Sequence, residues 1–526
     1  MNIIKKDKNP KNKELIEDRR SPKPKSEDRE NFKLSKDVEE NLDKFKAFLD
    51  ESTDMVFREF KLGLFGIPCT LVYVDGLVDK SVIQEMILKP MMYDISQYES
   101  DLNKDIKNED VYTFVKDHVV TVGDIKESKT LDKAMNNVMS GDVALMIQGF
   151  DQILLISARG WPTRGISDPD TEGVVRGPKE GFTETMRSNT ALLRRRCKDP
   201  NMVIKTIKLG RRSKTDVAYV YIKGITDSKL IEELEERLSH IDIDQLLDSG
   251  QLEQLIEDNS MSPFPQIQAT ERPDKTIANL MEGRVAILVD GSPFALMIPT
   301  TFSQFFQSPE DYNERWIVSS FIRLLRWISS FLAVFTPAVY IAVVSYHPGF
   351  IPTKLALSIA ANRAGVPFPS FVEALLMEIT LELLRESGAR LPKPIGQTIG
   401  IVGGIIIGDA AVRAGIASAI MVIVVAVTAI ASFVIPTYSA AIGLRIVRFP
   451  LMILAAFLGL YGVMLGFIII NIHLVSIKSF GNNYMAPQSP VIFEDWRDFI
   501  FRAPSRNFTK RPVEPYSIDI ERMDID

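Results

Sequence analysis

The chain has 526 residues, a net charge of −6, and a composition that is 46% hydrophobic and 25% charged. This length allows more than one domain, and the negative charge argues against nucleic acid as the main partner, because nucleic-acid-binding proteins usually carry a basic surplus. The two cysteines, Cys69 and Cys197, form no disulfide framework, and neither has the spacing of a metal ligand. We therefore expect no metal and no cofactor.

The first 37 residues are rich in Lys, Glu, Asp, Asn and Pro. Such a segment buries too little apolar surface to order itself, so residues 1–37 are predicted to be a disordered charged tail. The segment also lacks the apolar core of a signal peptide. The domain that follows is therefore expected on the cytoplasmic side.

Residues 38–310 are predicted to form an α/β N-terminal domain with two subdomains, 38–150 and 151–310. DVALMIQGFDQILLISAR predicts two strands around a turn, and VAILVDGSPFALMIP predicts a hairpin around Asp290 and Gly291. The apolar arms of this hairpin are about five residues long, whereas a spanning helix needs roughly 20. The sequence therefore predicts soluble strands here.

Residues 316–476 are predicted to form an α-helical transmembrane bundle of four to five spans, followed by a polar C-terminal tail, 477–526. One further segment, 368–388, is apolar but contains four glutamates. If it spans, there are five crossings and the C-terminus lies outside. If it is an embedded amphipathic helix, there are four crossings and the C-terminus stays inside, which is the alternative we favour. The segments of full spanning length are 327–347, 394–415, 416–439 and 449–476.

The glutamates of segment 368–388 are candidates for an ion pathway. On a helix, Glu378, Glu382 and Glu386 fall within roughly 80° of one another, whereas Glu373 points elsewhere. Carboxylates at membrane depth are costly, so they are expected to face water, a partner or a pore, and in a symmetric oligomer they would repeat as a ring that favours cations. An interfacial helix whose glutamates face water explains the pattern equally well.

The span 394–415 carries a glycine at every fourth position, which predicts close packing against another helix more than backbone exposure to a pathway. Asp409 and Arg413 follow at a spacing of four, which predicts an ion pair, with gating as the alternative role. The four spaced glycines are Gly396, Gly400, Gly404 and Gly408.

No enzyme constellation is present in the sequence. There is no P-loop, no G-x-S-x-G elbow and no His-x-x-x-His pair, and the glycine-rich run lies inside a predicted span. We expect no catalytic residues and no enzymatic activity.

Three long stretches, GWPTRGISDPDTEGVVRGPKEGFTETMRSNTALLRRR, VAILVDGSPFALMIPTTFSQFFQSPEDYNERW and the run from FTPAVYIAVVSYHPGF to AAVRAGIAS, resemble the A subunits of GerA-type spore germination receptors. This resemblance covers roughly residues 50–500. It implies a multi-pass protein of the spore inner membrane that works with a B-type transporter-like subunit and a C-type lipoprotein. It also implies a homo-oligomeric, germinant-gated cation channel.

Two other functions are alternatives. One is an A-like accessory protein that amplifies germination together with the dipicolinate-release machinery. The other is a secondary transporter, against which stand the small number of predicted crossings and the absence of an internal repeat of spans.

The resemblance also bears on an arginine cluster, Arg194, Arg195 and Arg196, at the end of a predicted helix. Cations at that end favour the helix dipole. In a domain beneath a membrane, the cluster is expected to contact acidic surfaces of neighbouring subunits or subdomains, with anionic lipid second and nucleic acid last. The acidic candidates are Asp168, Asp170, Glu172 and Glu180.

Overall fold

A computed structural model describes residues 34–49, 52–63, 66–95, 108–160, 168–169, 171–390, 406–514 and 517–523. The predicted tail, 1–37, lies outside the described residues except for its last four. Within those four, Leu34 is buried and the Lys36 carbonyl accepts the Gly149 N–H at 2.8 Å. Residues 34–37 are therefore folded, contrary to the prediction that they belong to a disordered tail.

The first subdomain is an antiparallel sheet of five strands in the order β1-β2-β4-β5-β3. The helices α1 and α3 cover one face, and the helical run from Lys80 to Asp94 covers the other together with α2. The elements are α1 (Val38–Leu49), β1 (Met55–Leu62), β2 (Ile67–Val74), a run of Lys80–Val82, Ile83–Leu88 and Pro90–Asp94, α2 (Asn108–Phe114, continued by Val115–Val119), β3 (Ile125–Ser128), α3 (Leu131–Val138), β4 (Asp142–Ile147) and β5 (Ile153–Ser157).

The second subdomain is another antiparallel five-stranded sheet, in the order β6-β7-β9-β10-β8. Leucines of α5 and α6 pack on one face, and leucines of α4 and α7 pack on the other. The elements are α4 (Met186–Arg196), β6 (Met202–Leu209), β7 (Thr215–Ile222), α5 (Ser228–Ser239), α6 (Ser249–Ile256), β8 (Gln268–Thr270), α7 (Pro273–Leu280), β9 (Val285–Val289) and β10 (Ala295–Ile298).

The two sheets have the same strand order and the same succession of strands, so the α/β domain contains one architecture twice. The predicted boundary at residue 150 is wrong, because β5 pairs with β3 and β4 of the first sheet. The turn at Gly149 closes a hairpin inside that sheet. Turn residues mark both hairpins and domain boundaries, and only strand pairing tells the two apart.

The helical bundle begins after a short helix, α8 (Glu310–Asn313). Two of the described helices, α9 and α13, are long and apolar enough to cross a membrane. The helices are α9 (Trp316–Tyr346), α10 (Thr353–Arg363), α11 (Ser370–Arg390), a helical stretch at 406–413, α12 (Ala419–Phe433) and α13 (Tyr438–Ser476).

Helix α9 leaves the α/β domain at the near end of the bundle and reaches the far end. Helix α11 returns, because its Ser370 hydroxyl contacts Ser345 at the far end while Arg385 donates to Ser432 at the near end. Its 21 residues extend about 31 Å along the bundle. Segment 368–388 is therefore a full member of the bundle, and the expected interfacial helix is wrong.

Helix α13 is two helices folded against each other. At Gly459 the backbone has φ 61° and ψ −140°, which is not helical. A Cβ at Gly462 would overlap the Leu454 carbonyl, and Gly466 lies against Leu451, so the arms 438–458 and 460–476 run antiparallel. The prediction of one uninterrupted span over 449–476 is therefore wrong, because mean hydropathy does not register a reversal within an apolar run.

The C-terminal segment, 477–523, is not an extended tail. Its described residues pack on the α/β domain, where Tyr484 and Phe499 are buried and Ile518 donates its N–H to the Ile225 carbonyl at 2.9 Å. Two short strands, β11 (Lys478–Ser479) and β12 (Asn482–Asn483), begin the segment. The C-terminal segment thus shares the near end with the α/β domain, contrary to the five-crossing alternative.

Candidate functional site

Three glutamates of α11, Glu373, Glu378 and Glu382, point into the bundle, whereas Glu386 is exposed. The contacts of these three side chains are here called the ion-pair ladder. Glu378 pairs with Arg448 at 2.5 Å, and both side chains are 0% exposed. Glu382 pairs with Arg445 at 3.1 Å. Near the far end, Glu373 is fully buried, and it accepts the backbone N–H and the hydroxyl of Ser418 at 2.6 Å. The ladder thus joins α11 to α12 and α13.

Arg448 also completes the hydrogen bonding of α9. Pro337 lies inside that helix and has no N–H, so it cannot bond the carbonyl of Ala333 four residues earlier. The Nε of Arg448 donates to this carbonyl at 2.7 Å. The guanidinium of Arg448 therefore neutralises the buried Glu378 carboxylate and also supplies the hydrogen bond that Pro337 cannot give to the Ala333 carbonyl. These two contacts link α13 to α11 and α9.

The burial of Glu373 and Glu378 fits neither of the two roles expected for them. Glu373 and Glu378 face neither water nor a pore within one protomer, because both are 0% exposed, whereas the side chain of Glu382 is 30% exposed. From the sequence, Arg445 and Arg448 were not predicted as their partners. Arg445 and Arg448 are three residues apart on α13, and Glu378 and Glu382 are four residues apart on α11. Each pair therefore lies on one side of its helix, so two antiparallel helices can bring the four side chains together.

The exposed stripe of α11 is apolar over most of its length and ends in Glu386 toward the near end of the bundle. Leu376, Ile379 and Leu383 are 41%, 43% and 63% exposed and share one stripe of the helix. A helix with charges inside and leucine and isoleucine outside reverses the arrangement of a water-soluble helix. This arrangement suits lipid or another copy of the chain as its surroundings.

The glycine-rich segment is only partly described. Gly396, Gly400 and Gly404 lie outside the described residues, whereas a Cβ at Gly408 would lie 3.5 Å from Val422, consistent with close packing. The predicted pair between Asp409 and Arg413 forms at 2.8 Å, and both side chains are exposed.

A second charged cluster fastens the α/β domain to the bundle. Asp311 of α8 is 2% exposed and accepts from Arg323 at 2.8 Å and from Arg326 at 2.7 Å. Arg323 also donates to Asp498 of the C-terminal segment at 2.6 Å. These ion pairs hold α8 and the C-terminal segment against the first turns of α9.

The C-terminal segment carries a half-buried carboxylate at this junction. Asp495 accepts the Val513 N–H at 3.0 Å, and burial raises the pKa of Asp495 from 3.8 to about 6. The pKa of the Asp495 carboxyl is therefore higher in the folded chain than in the unfolded chain. Its contribution to the stability of the fold is fully present below the pKa of the unfolded chain and is lost as the pH rises through about 6.

We expect Asp495→Asn to abolish this pH dependence. At pH 8 the variant should be about 2 kcal/mol more stable than the wild type, because the ionised carboxylate no longer has to be buried, and at pH 4 the two should agree. The measurement is denaturant unfolding of the full chain in detergent between pH 4 and pH 8. Parallel curves for the two proteins would contradict the assignment.

The arginine cluster at the end of α4 acts within the chain. Arg194 is 1% exposed and pairs with Asp54 of the first subdomain at 2.8 Å, which rules out a lipid or neighbouring subunit as its contact and corrects that expectation. Arg195 and Arg196 both pair with Glu180, one of the predicted carboxylates. Arg194 therefore joins the two subdomains, as the subdomain alternative expected.

We expect Arg194→Gln to destabilise the α/β domain by about 2–3 kcal/mol, because it leaves the Asp54 carboxylate and the Met202 carbonyl without their charged donor. Arg195→Gln is the matched control and should cost less than about 1 kcal/mol, because its pair is half-exposed. Denaturant unfolding of the full chain measures both. Equal losses would show that Arg194 does not hold the subdomains together.

The described residues contain no group of three His, Cys, Asp or Glu side chains placed to hold a metal ion. Cys69 and Cys197 are free and buried.

Comparisons with known proteins agree on the family. The family model of the Bacillus/Clostridium GerA spore germination protein matches residues 43–514. Spore germination protein B1 of Bacillus subtilis is 44% identical over 92% of this chain and 98% of its own length. Spore germination protein KA of the same organism is 42% identical over 91% of this chain and 87% of its own.

Among solved structures, the N-terminal domain of the A subunit of the Bacillus megaterium spore germinant receptor GerK3 is 36% identical. The structural alignment covers 52% of this chain and 98% of that domain, with a TM-score of 0.41. Because the family model and the germination proteins B1 and KA extend over the α/β domain and the bundle alike, the chain belongs to the GerA family of spore germination proteins.

Proposed function

We propose that this chain is the A subunit of a nutrient-germinant receptor and that several copies form a germinant-gated cation channel in the spore inner membrane. The observation that carries the proposal is the family match over residues 43–514. As the resemblance implies, the partners are a B-type transporter-like subunit, where the germinant is sensed, and a C-type lipoprotein. No catalytic role and no cofactor are proposed.

The architecture supports a membrane-embedded bundle with a cytoplasmic α/β domain at its near end. Two long apolar helices and an outward apolar stripe on α11 suit a bilayer or contacts between copies. The buried Glu378–Arg448 pair gives each protomer a rigid interior instead of a charged pore wall. Any pathway for ions would then lie between protomers.

The junction supplies a mechanical link for gating. A germinant opens such a channel only if its binding favours the open arrangement. Asp311 locks the α/β domain to Arg323 and Arg326 of α9, so a shift of the domain would reach the bundle through buried ion pairs.

The test is potassium efflux from vegetative cells that express this chain with its B and C partners, before and after candidate germinants are added. Efflux that appears only with a germinant, and becomes constitutive in small-residue substitutions of the apolar stripe, is the expected result. An assembled complex that passes no potassium would contradict the channel and assign the chain a scaffold or amplifier role.

A further inference from the structure

A cavity of about 580 Å³ lies at the near end of the bundle, between the bundle and the α/β domain. Arg326, Arg385 and Arg445 line its bundle wall. At its rim, the aromatic side chains of Phe433 and Tyr438 are 71% and 63% exposed. Exposed aromatic residues beside arginines at the end of an apolar bundle are typical of the depth where lipid headgroups lie.

The bundle wall carries an unbalanced positive charge. Arg385 and Arg445 share one carboxylate, that of Glu382, at 3.2 Å and 3.1 Å. Arg326, by contrast, is balanced by Asp311. Two guanidinium groups and one carboxylate leave one positive charge beside the cavity.

Hydrogen bonds to the bundle fix the positions of the guanidinium groups of Arg385 and Arg445 beside the cavity. The side chain of Arg385 is 14% exposed and donates to the Ser432 hydroxyl at 3.0 Å, while its Nε has no hydrogen-bond partner among the described residues. The side chain of Arg445 is 9% exposed, and its Nε donates to the Ala441 carbonyl at 3.3 Å. A buried charge without a counter-charge is costly, so the site favours an anion that accepts several hydrogen bonds.

The two described carboxylates of the opposite wall, Glu172 and Glu310, do not supply that anion. Glu172 is held by Lys275 at 2.7 Å, and Glu310 accepts the backbone N–H of Val175. Neither carboxylate forms an ion pair with Arg385 or Arg445. The positive charge on the bundle wall therefore remains for a ligand.

We propose that the junction cavity binds the phosphodiester headgroup of an anionic phospholipid, with Arg385 and Arg445 on the phosphate and with the acyl chains leaving past Phe433. The cavity volume accommodates a headgroup, and the exposed aromatic rim opens toward the bilayer. Arginine forks match phosphate oxygens in geometry and charge. Bound lipid would connect α11, α12 and α13 at the point where the α/β domain meets them. This inference rests on the proposed placement of the bundle in a membrane.

The test compares the thermal unfolding midpoint of the full chain in nanodiscs of phosphatidylcholine with and without phosphatidylglycerol. The wild type should be stabilised by phosphatidylglycerol. Arg445→Gln should weaken the apparent affinity for a short-chain phosphatidylglycerol roughly tenfold, because it removes the surplus charge and leaves Arg385 paired with Glu382. Glu382→Gln should strengthen that affinity even though the variant itself is less stable.

Arg506→Gln is the matched control, because Arg506 is exposed and lies outside the cavity. Equal stabilisation by both lipids, or an Arg445→Gln variant that responds like the wild type, would overturn the proposal. If inorganic phosphate alone reproduced the shift, the ligand would be a soluble anion and the lipid assignment would be wrong. Potassium efflux is a separate readout, so the failure of the lipid site and the failure of the channel are distinguishable.

Discussion

Arg448→Gln is expected to destabilise the bundle by about 3–5 kcal/mol, because it leaves the charge of Glu378 buried without a partner. The Ala333 carbonyl, which Pro337 leaves without its helical donor, loses its hydrogen bond from Arg448 at the same time. The measurement is thermal unfolding of the full chain in detergent, together with germination of spores that carry the variant. Arg413→Gln is the control: its pair with Asp409 is exposed, so the loss should stay below about 1 kcal/mol.

Further variants separate the charge from the hydrogen bond. Glu378→Leu combined with Arg448→Met removes both charges and should recover most of the stability. Adding Pro337→Ala restores an N–H for the Ala333 carbonyl and should recover part of the remainder. If Arg448→Gln were no more harmful than Arg413→Gln, the ladder would not be a structural element of the bundle.

Gly459→Ala is expected to cost about 3 kcal/mol and to open the hairpin of α13. The backbone at Gly459 has φ 61° and ψ −140°, a region that residues with a Cβ seldom adopt. A Cβ there would also lie 3.0 Å from His347 and 3.1 Å from Tyr346. Because the second arm leads into the C-terminal segment, opening the hairpin should release that segment from the α/β domain.

The change is measured by thermal unfolding and by limited proteolysis of residues 477–523 in the full chain. Gly349→Ala is the matched control at the same end of the bundle, since a Cβ there meets nothing within 4 Å and its φ is not in the left-handed region. Protection of the C-terminal segment that is equal in the two variants would show that the reversal does not depend on Gly459.

The sequence by itself determined the division into an α/β half and an apolar helical half, and it determined the hairpins of the first half. The reason is that these features are local. The hairpin around Asp290 and Gly291 needs only short apolar arms and a turn, and it forms as predicted between β9 and β10. The pair between Asp409 and Arg413 follows from one helical turn in the same way.

Only the tertiary structure decided where the charges of the bundle point. A helix that carries both glutamates and leucines can turn either face inward, and the choice depended on Arg445 and Arg448, more than 60 residues further along the chain. The reversal at Gly459 was equally hidden, because glycine is common within apolar helices and only the packing of 460–476 against 438–458 requires its positive φ. Burial makes an unpaired charge expensive, so the long-range contacts with Arg445 and Arg448 determine the environment of glutamates for which the sequence left an ion pathway and a water-facing helix as equal alternatives.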